Sequence, residues 1–117
     1  MPFKVRLLPS AKEFLDKLPQ KFWAKAVRSI SLLEEFGPGL REPHSKKVSG
    51  WDGLFELRVQ LGNNICRLFY FSHRLSFYIV TSGYIKKSMK LDRNELARAA
   101  SLMRQYLEEK GSSHEDI

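Results

Sequence analysis

The sequence predicts an α+β fold in the order β-α-α-β-β-β-α, an antiparallel sheet with a helical hairpin on one face and a C-terminal helix. Three observations predict it. Residues 11–18 and 22–36 carry apolar side chains at helical spacing. Three β-rich runs follow one another across short turns between residues 54 and 82. A capping signal at Asp92 then opens a last amphipathic segment.

Residues 3–8 alternate weakly and read as a short first strand, stopped by Pro9. Ser10-Ala11-Lys12-Glu13 is a capping box, in which Ser10 caps the helix and Glu13 reaches back to it. Ala11, Phe14, Leu15 and Leu18 then keep one helical face, and Pro19 breaks the helix. A second helix spans residues 21–36, with Phe22, Trp23, Ala26, Val27, Ile30, Leu33 and Phe36 as its stripe. Gly37-Pro38-Gly39 ends it. Residues 40–53 read as an exposed basic loop with Arg41, His44, Lys46 and Lys47, turning at Gly50 and Gly53, and with Trp51 as a core plug. Strands at 54–61 and 65–71 flank the hairpin signal Gly62-Asn63-Asn64. Ser72-His73-Arg74 turns the chain into a third β run at 76–82, and Gly83 allows a tight bend at its end. Asp92 caps the last helix, whose stripe is Leu96, Ala99, Ala100, Met103 and Leu107. The first strand cannot hairpin with the second across two helices and must pair elsewhere in the sheet. Residues 1–110 form a single domain and 111–117 a flexible acidic tail.

A chain of 117 residues supports one domain with a modest core, and an apolar share of 43% excludes disorder. No apolar run is long enough to cross a membrane, and the N-terminus lacks the apolar stretch of a signal peptide, so a cytoplasmic location is expected. Cys66 is the single cysteine; it cannot form an internal disulfide and reads as a small buried hydrophobe. No Cys/His cluster has zinc spacing, so neither metal nor cofactor is expected. Net charge is +7, and residues 1–107 alone carry +10. A basic body of this size suggests nucleic acid or an acidic protein as partner.

The charges fall inside the β runs, where an arginine is costly unless something uses it. Pairing across a tight turn keeps the sum of partner numbers constant, so if Leu61 pairs with Asn64, Arg58 lies opposite Arg67. Two directly opposed arginines repel, unless an anion sits between them. Glu56 is two residues from Arg58, on the same face, and can neutralise one arginine. Tyr84, Lys86, Lys87 and Lys90 follow the last strand, and Arg93 sits in the first turn of the last helix. A sheet lined with fixed cations suits a polyanion such as RNA.

The element order, Gly53-Leu54-Phe55-Glu56-Leu57-Arg58, Arg67-Leu68-Phe69-Tyr70 and Gly83-Tyr84-Ile85-Lys86-Lys87-Ser88 together resemble the RelE/HigB toxin superfamily, nearest its HigB-like, phage-derived branch. The resemblance covers residues 3–107. It implies a toxin of a type II toxin–antitoxin system, an mRNA interferase that cuts mRNA on the ribosome. It also implies a cognate helix-turn-helix antitoxin, through which alone the toxin meets operator DNA. By position Arg58 and Arg67 match two phosphate-binding residues of the central strands, and Lys86 or Lys87 matches the basic segment after the last strand. Glu56 stands where several relatives have lysine, Leu91 where some have a catalytic tyrosine, and Ser82 where the HigB-like branch often has histidine.

Cleavage by the RNA's own 2′-OH needs a base, an acid at the leaving 5′-oxygen, and cations around the phosphorane. Arg67 and Arg58 suit charge stabilisation, because guanidinium forks match phosphate and stay protonated. Lys86 or Lys87 can act as acid or base, Glu56 or His44 as base, and Tyr84 can stack on a nucleobase or donate a proton. His44, Lys46, Lys47, Lys90 and Arg93 are the expected RNA contacts. Two other readings share this fold: a ParE-type poison of DNA gyrase, and a non-catalytic binding module.

Overall fold

Side-chain alternation along three long strands separates two chemistries in this protein. The computed structural model describes residues 2–74, 76–86 and 92–111. Its elements are β1 (Lys4–Leu7), α1 (Pro9–Asp16), α2 (Gln20–Phe36), β2 (Ser45–Lys47), β3 (Leu54–Leu61), β4 (Asn64–His73), β5 (Phe77–Lys86) and α3 (Arg93–Gly111). The strands form one sheet in the order β1-β5-β4-β3-β2. β2 to β5 pair antiparallel with their neighbours, while β1 joins the far edge parallel to β5.

One face is apolar. Leu57 and Val59 of β3, Cys66, Leu68 and Tyr70 of β4, and Tyr78 and Val80 of β5 pack against Ala11 and Leu15 of α1 and Phe22, Ala26 and Leu33 of α2. Each such aliphatic or aromatic side chain contributes roughly 1.5–3 kcal/mol when fully buried. The opposite face is covered by α3 over part of its area. Leu54, Phe69 and Tyr84 meet Leu96, Ala99 and Ala100, and Phe71 and Ile79 meet Tyr106. The helices therefore do not share one side of the sheet: α1 and α2 take one face, α3 the other.

The α+β class, the helical hairpin and the Gly62-Asn63 turn stand as expected, and several details differ. β1 ends before Pro9 as expected, and Pro9 is itself the first residue of α1, since a position that needs no N–H donor costs proline nothing. Ser10 caps nothing and donates instead to the Thr81 carbonyl. The reason is a bulge: Phe69 pairs with Ser82 and Tyr70 with Val80, which leaves Thr81 as the extra residue of β5. The 40–53 loop contains a strand, β2, held by Ser45↔Leu57 pairing and by a hydroxyl hydrogen bond between Ser45 and the buried Tyr70.

Gly83 makes no bend. It lies within β5 because a Cβ there would come within 2.6 Å of Leu68 and 2.7 Å of Phe14, so its role is to let α1 approach the sheet. The buried row of α2 is Phe22, Ala26, Ser29 and Leu33, which leaves Trp23 and Phe36 exposed off its side. Trp51 is exposed too and plugs no core. In α3, Tyr106 rather than Leu107 completes the buried row, with its ring edge-on to Phe71 and His73. Asp92 caps α3 as expected, its Oδ1 accepting the Asn94 and Glu95 N–H groups. The expected tail lies outside the described residues from 112 onward. Among the described residues, no helix is long and apolar enough to cross a membrane.

Candidate active site

The register of the β3–β4 hairpin places Arg58 directly opposite Arg67, with Tyr84 of β5 next in the same row. The adjacent row is Lys46, Glu56, Phe69 and Ser82, and the row beyond the arginines is Gln60, Ile65 and Lys86. These rows lie on the face that α3 covers only in part. Alternation sends Lys47, which pairs with Phe55, to the opposite face.

Glu56 resolves the repulsion between the arginines. Arg67 Nη1 donates to Glu56 Oε1 at 2.6 Å, and Arg58 Nε lies 3.7 Å from the same oxygen. Glu56 and Arg67 are 4% and 3% exposed, so this pair is dry, while the Arg58 side chain at 19% reaches the surface. Glu56 Oε2 is buried without a hydrogen-bond partner among the described residues. Removing one member of a buried pair strands the other charge and costs roughly 3–5 kcal/mol. Arg67→Ala therefore tests folding as much as function, and a clean probe must neutralise Glu56 as well.

Lys86 defines the rim. Its Nζ lies 3.7 Å from Asp92 Oδ2, and Asp92 is fixed in turn by capping α3. The Glu95 N–H holds the Asp92 carboxyl below the usual aspartate value; desolvation, next in size, opposes it, and the Asn94 N–H and Lys86 add to the lowering. Tyr84 stacks on Phe69 with ring centroids 5.8 Å apart, and its hydroxyl accepts the Asp92 N–H at 3.0 Å. Burial pushes the Tyr84 hydroxyl above the usual phenol value; Arg67 and the Asp92 N–H pull the other way. Tyr84 thus remains protonated at neutral pH and serves as an anchor between β5 and the start of α3.

The structure brings together Glu56, Arg58, Arg67, Tyr84 and Lys86, with Lys46 on the same face. His44 is exposed, yet its carbonyl accepts the Arg58 N–H at 2.9 Å, which ties its loop to the site strand. Arg93 is exposed on the first turn of α3. Lys87, Lys90 and Leu91 lie outside the described residues. Burial pushes the Cys66 thiol to about 12, so it is no nucleophile. Among the described residues, no group of three His, Cys, Asp or Glu side chains is placed to hold a metal ion.

Sequence reasoning missed Asp92 as a site residue, because its cap signature accounts for it without reference to Lys86. It also missed Lys25 and Arg28 of α2, which line a cleft with Arg58. Their spacing is that of any solvated helix face, and only the tertiary fold sets them beside β3.

Residues 13–104 match the family model of phage-derived, Gp49-like proteins. No curated protein matches the sequence. Among solved structures, the archaeal RelE–RelB complex from Pyrococcus horikoshii contains a chain similar at TM-score 0.57 and 20% identity, over 77% of this chain and 100% of that one. A chain of the RelBE2 toxin–antitoxin complex from Mycobacterium tuberculosis gives TM-score 0.46 and 23% identity, over 74% of this chain and 100% of that one. The chain therefore belongs to the phage-derived Gp49-like family and has a RelE-like fold.

Proposed function

We propose that this chain is the toxin of a toxin–antitoxin pair and acts as an mRNA endoribonuclease on the ribosome. The observation that carries the reading is the Arg67–Glu56–Arg58 cluster, with Lys86 at its rim, on the half-open face of a RelE-like sheet. A buried ion pair adds little stability over apolar residues of the same shape, so stability alone gives no reason to keep it. A phosphate does. By turning Glu56 off Arg67 it exchanges one anion for another and leaves no buried charge uncompensated.

In this mechanism Arg58 and Arg67 bind the non-bridging phosphate oxygens and stabilise the phosphorane. Glu56, released from Arg67, takes the proton of the 2′-OH through Oε2, the oxygen without a partner in the closed site. The 2′-oxygen bonds to phosphorus, the bond from phosphorus to the 5′-oxygen breaks, and Lys86 gives that oxygen its proton. The products are a 2′,3′-cyclic phosphate and a 5′-OH. Asp92 positions Lys86, while Tyr84 holds β5 to α3. Lys46 and His44 contact the strand from the β2 side, with Arg93 as an outer contact.

The archaeal chain of the same fold was solved in complex with RelB, and this supports an antitoxin as partner. The net charge of +7 suits an acidic antitoxin segment covering the arginines, carried by a helix-turn-helix repressor in the cytoplasm. The test is brief expression with transcriptome-wide mapping of mRNA 5′ ends, beside Glu56→Gln/Arg67→Gln. New ends within translated codons that vanish in the double variant are expected. Growth arrest with DNA damage and intact mRNA would contradict the reading and favour gyrase.

A further inference from the structure

Beside the arginine cluster, past the end of β2, the outer edge of β3 faces α2 across a cleft of about 510 Å³. Lys25 and Arg28 line it from α2, His44 and Pro43 from the loop before β2, and Arg58 and Gln60 from β3. Among the described residues, no carboxylate lines it. Lys25 Nζ donates to the Gln60 carbonyl at 3.0 Å, which fixes the ammonium at the strand edge, where β2 no longer pairs. Lys25 and Arg28 are three residues apart on α2 and so face the same way. Arg58 belongs to both this cleft and the cluster with Glu56, so the positive surface is continuous from one to the other.

We infer that this cleft is a second phosphate subsite, which grips the backbone of RNA beyond the scissile bond through Lys25, Arg28 and His44. The inference rests on the nuclease reading. Because Arg58 lines the cleft as well as the cluster, a strand whose scissile phosphate sits on Arg58 and Arg67 runs on from Arg58 into the cleft. Lysine and arginine read that backbone without regard to base, so the subsite supplies affinity and register rather than sequence choice. Ribosomal RNA offers the same phosphates as the message.

The test compares the wild type, Lys25→Gln/Arg28→Gln, and the charge-keeping Lys25→Arg/Arg28→Lys. Two probes are titrated over a range of salt: a short 2′-O-methyl oligoribonucleotide, which binds but cannot be cut, and ribosomes programmed with a 2′-O-methyl message. The glutamine pair is expected to weaken binding roughly tenfold and to reduce the slope of log affinity against log salt by about 1.4, two single-strand contacts' worth. The charge-keeping pair restores both. Loss with the free oligonucleotide assigns the cleft to the substrate strand, and loss with ribosomes alone assigns it to ribosomal RNA. Unchanged affinity and slope with both probes would overturn the subsite, and would do so even where Glu56→Gln/Arg67→Gln has abolished cleavage, so the nuclease reading can survive its failure. A wild type that binds neither probe overturns both.

Discussion

The two faces of the sheet are made by alternate residues of the same three strands, yet they obey different rules. Beneath α1 and α2, Leu57, Val59, Cys66, Leu68, Tyr70, Tyr78 and Val80 form a closed apolar layer. On the other face, α3 packs on Leu54, Phe69 and Tyr84, and beside them Glu56, Arg58, Arg67 and Lys86 bring charge to the same face. The first face holds the fold together. It frees the second to carry charge that folding does not need. Arg67 and Glu56 are buried as deeply as the apolar core, where apolar residues of the same shape would stabilise the fold about as well, and the proposed role in binding phosphate accounts for a charged pair in that place.

The comparison breaks most severely at Arg67. Arg67→Ala is expected to cost roughly 3–5 kcal/mol in chemical denaturation, because Glu56 remains buried with less positive charge around it. Glu56→Gln/Arg67→Gln is expected to recover most of that stability and still to lose at least about 10²–10³ in cleavage rate, since it removes the general base as well as a transition-state cation. A double variant that is fully active would erase the distinction between the faces. On the apolar face, Gly83→Ala is expected to cost about 1–3 kcal/mol by overpacking against Leu68 and Phe14, with cleavage per folded molecule unchanged. The smallest effect is at Asp92. Its carboxyl lies below the usual value in the fold, so its contribution is present above the unfolded-state pKa of about 3.9 and is lost as pH falls through the folded one. Asp92→Ala should therefore melt at a lower temperature than the wild type at pH 7, and the gap should close in acid; a gap that widens on acidification would contradict the cap.

Much of this was legible in the sequence. A constant partner sum across the Gly62-Asn63 turn placed Arg58 opposite Arg67, and alternation placed Glu56 beside them. Those are short-range rules, and short-range rules hold well in a hairpin. What escaped needed tertiary structure. Ser10 carries a capping signature, but the unpaired Thr81 carbonyl of a bulge competed for its hydroxyl and won. Gly83 reads as a bend, whereas its meaning lies in the approach of Phe14 from a helix far away in sequence. β2 is too short and too polar to stand out from its loop, and only the edge of β3 makes it a strand. The depth of Arg67 was hidden as well, since no local pattern tells a surface arginine from one sealed by a carboxylate across the sheet.

The central claim is that the charged face cuts RNA by its own 2′-OH. The most direct measurement incubates the wild-type chain with ribosomes programmed with a defined message, and with the same message carrying a single 2′-deoxynucleotide on the 5′ side of the mapped cut. The account predicts cleavage of the all-ribose message to a 2′,3′-cyclic phosphate end, and none at the deoxy position. Equal cutting of both messages, or of neither, would contradict it.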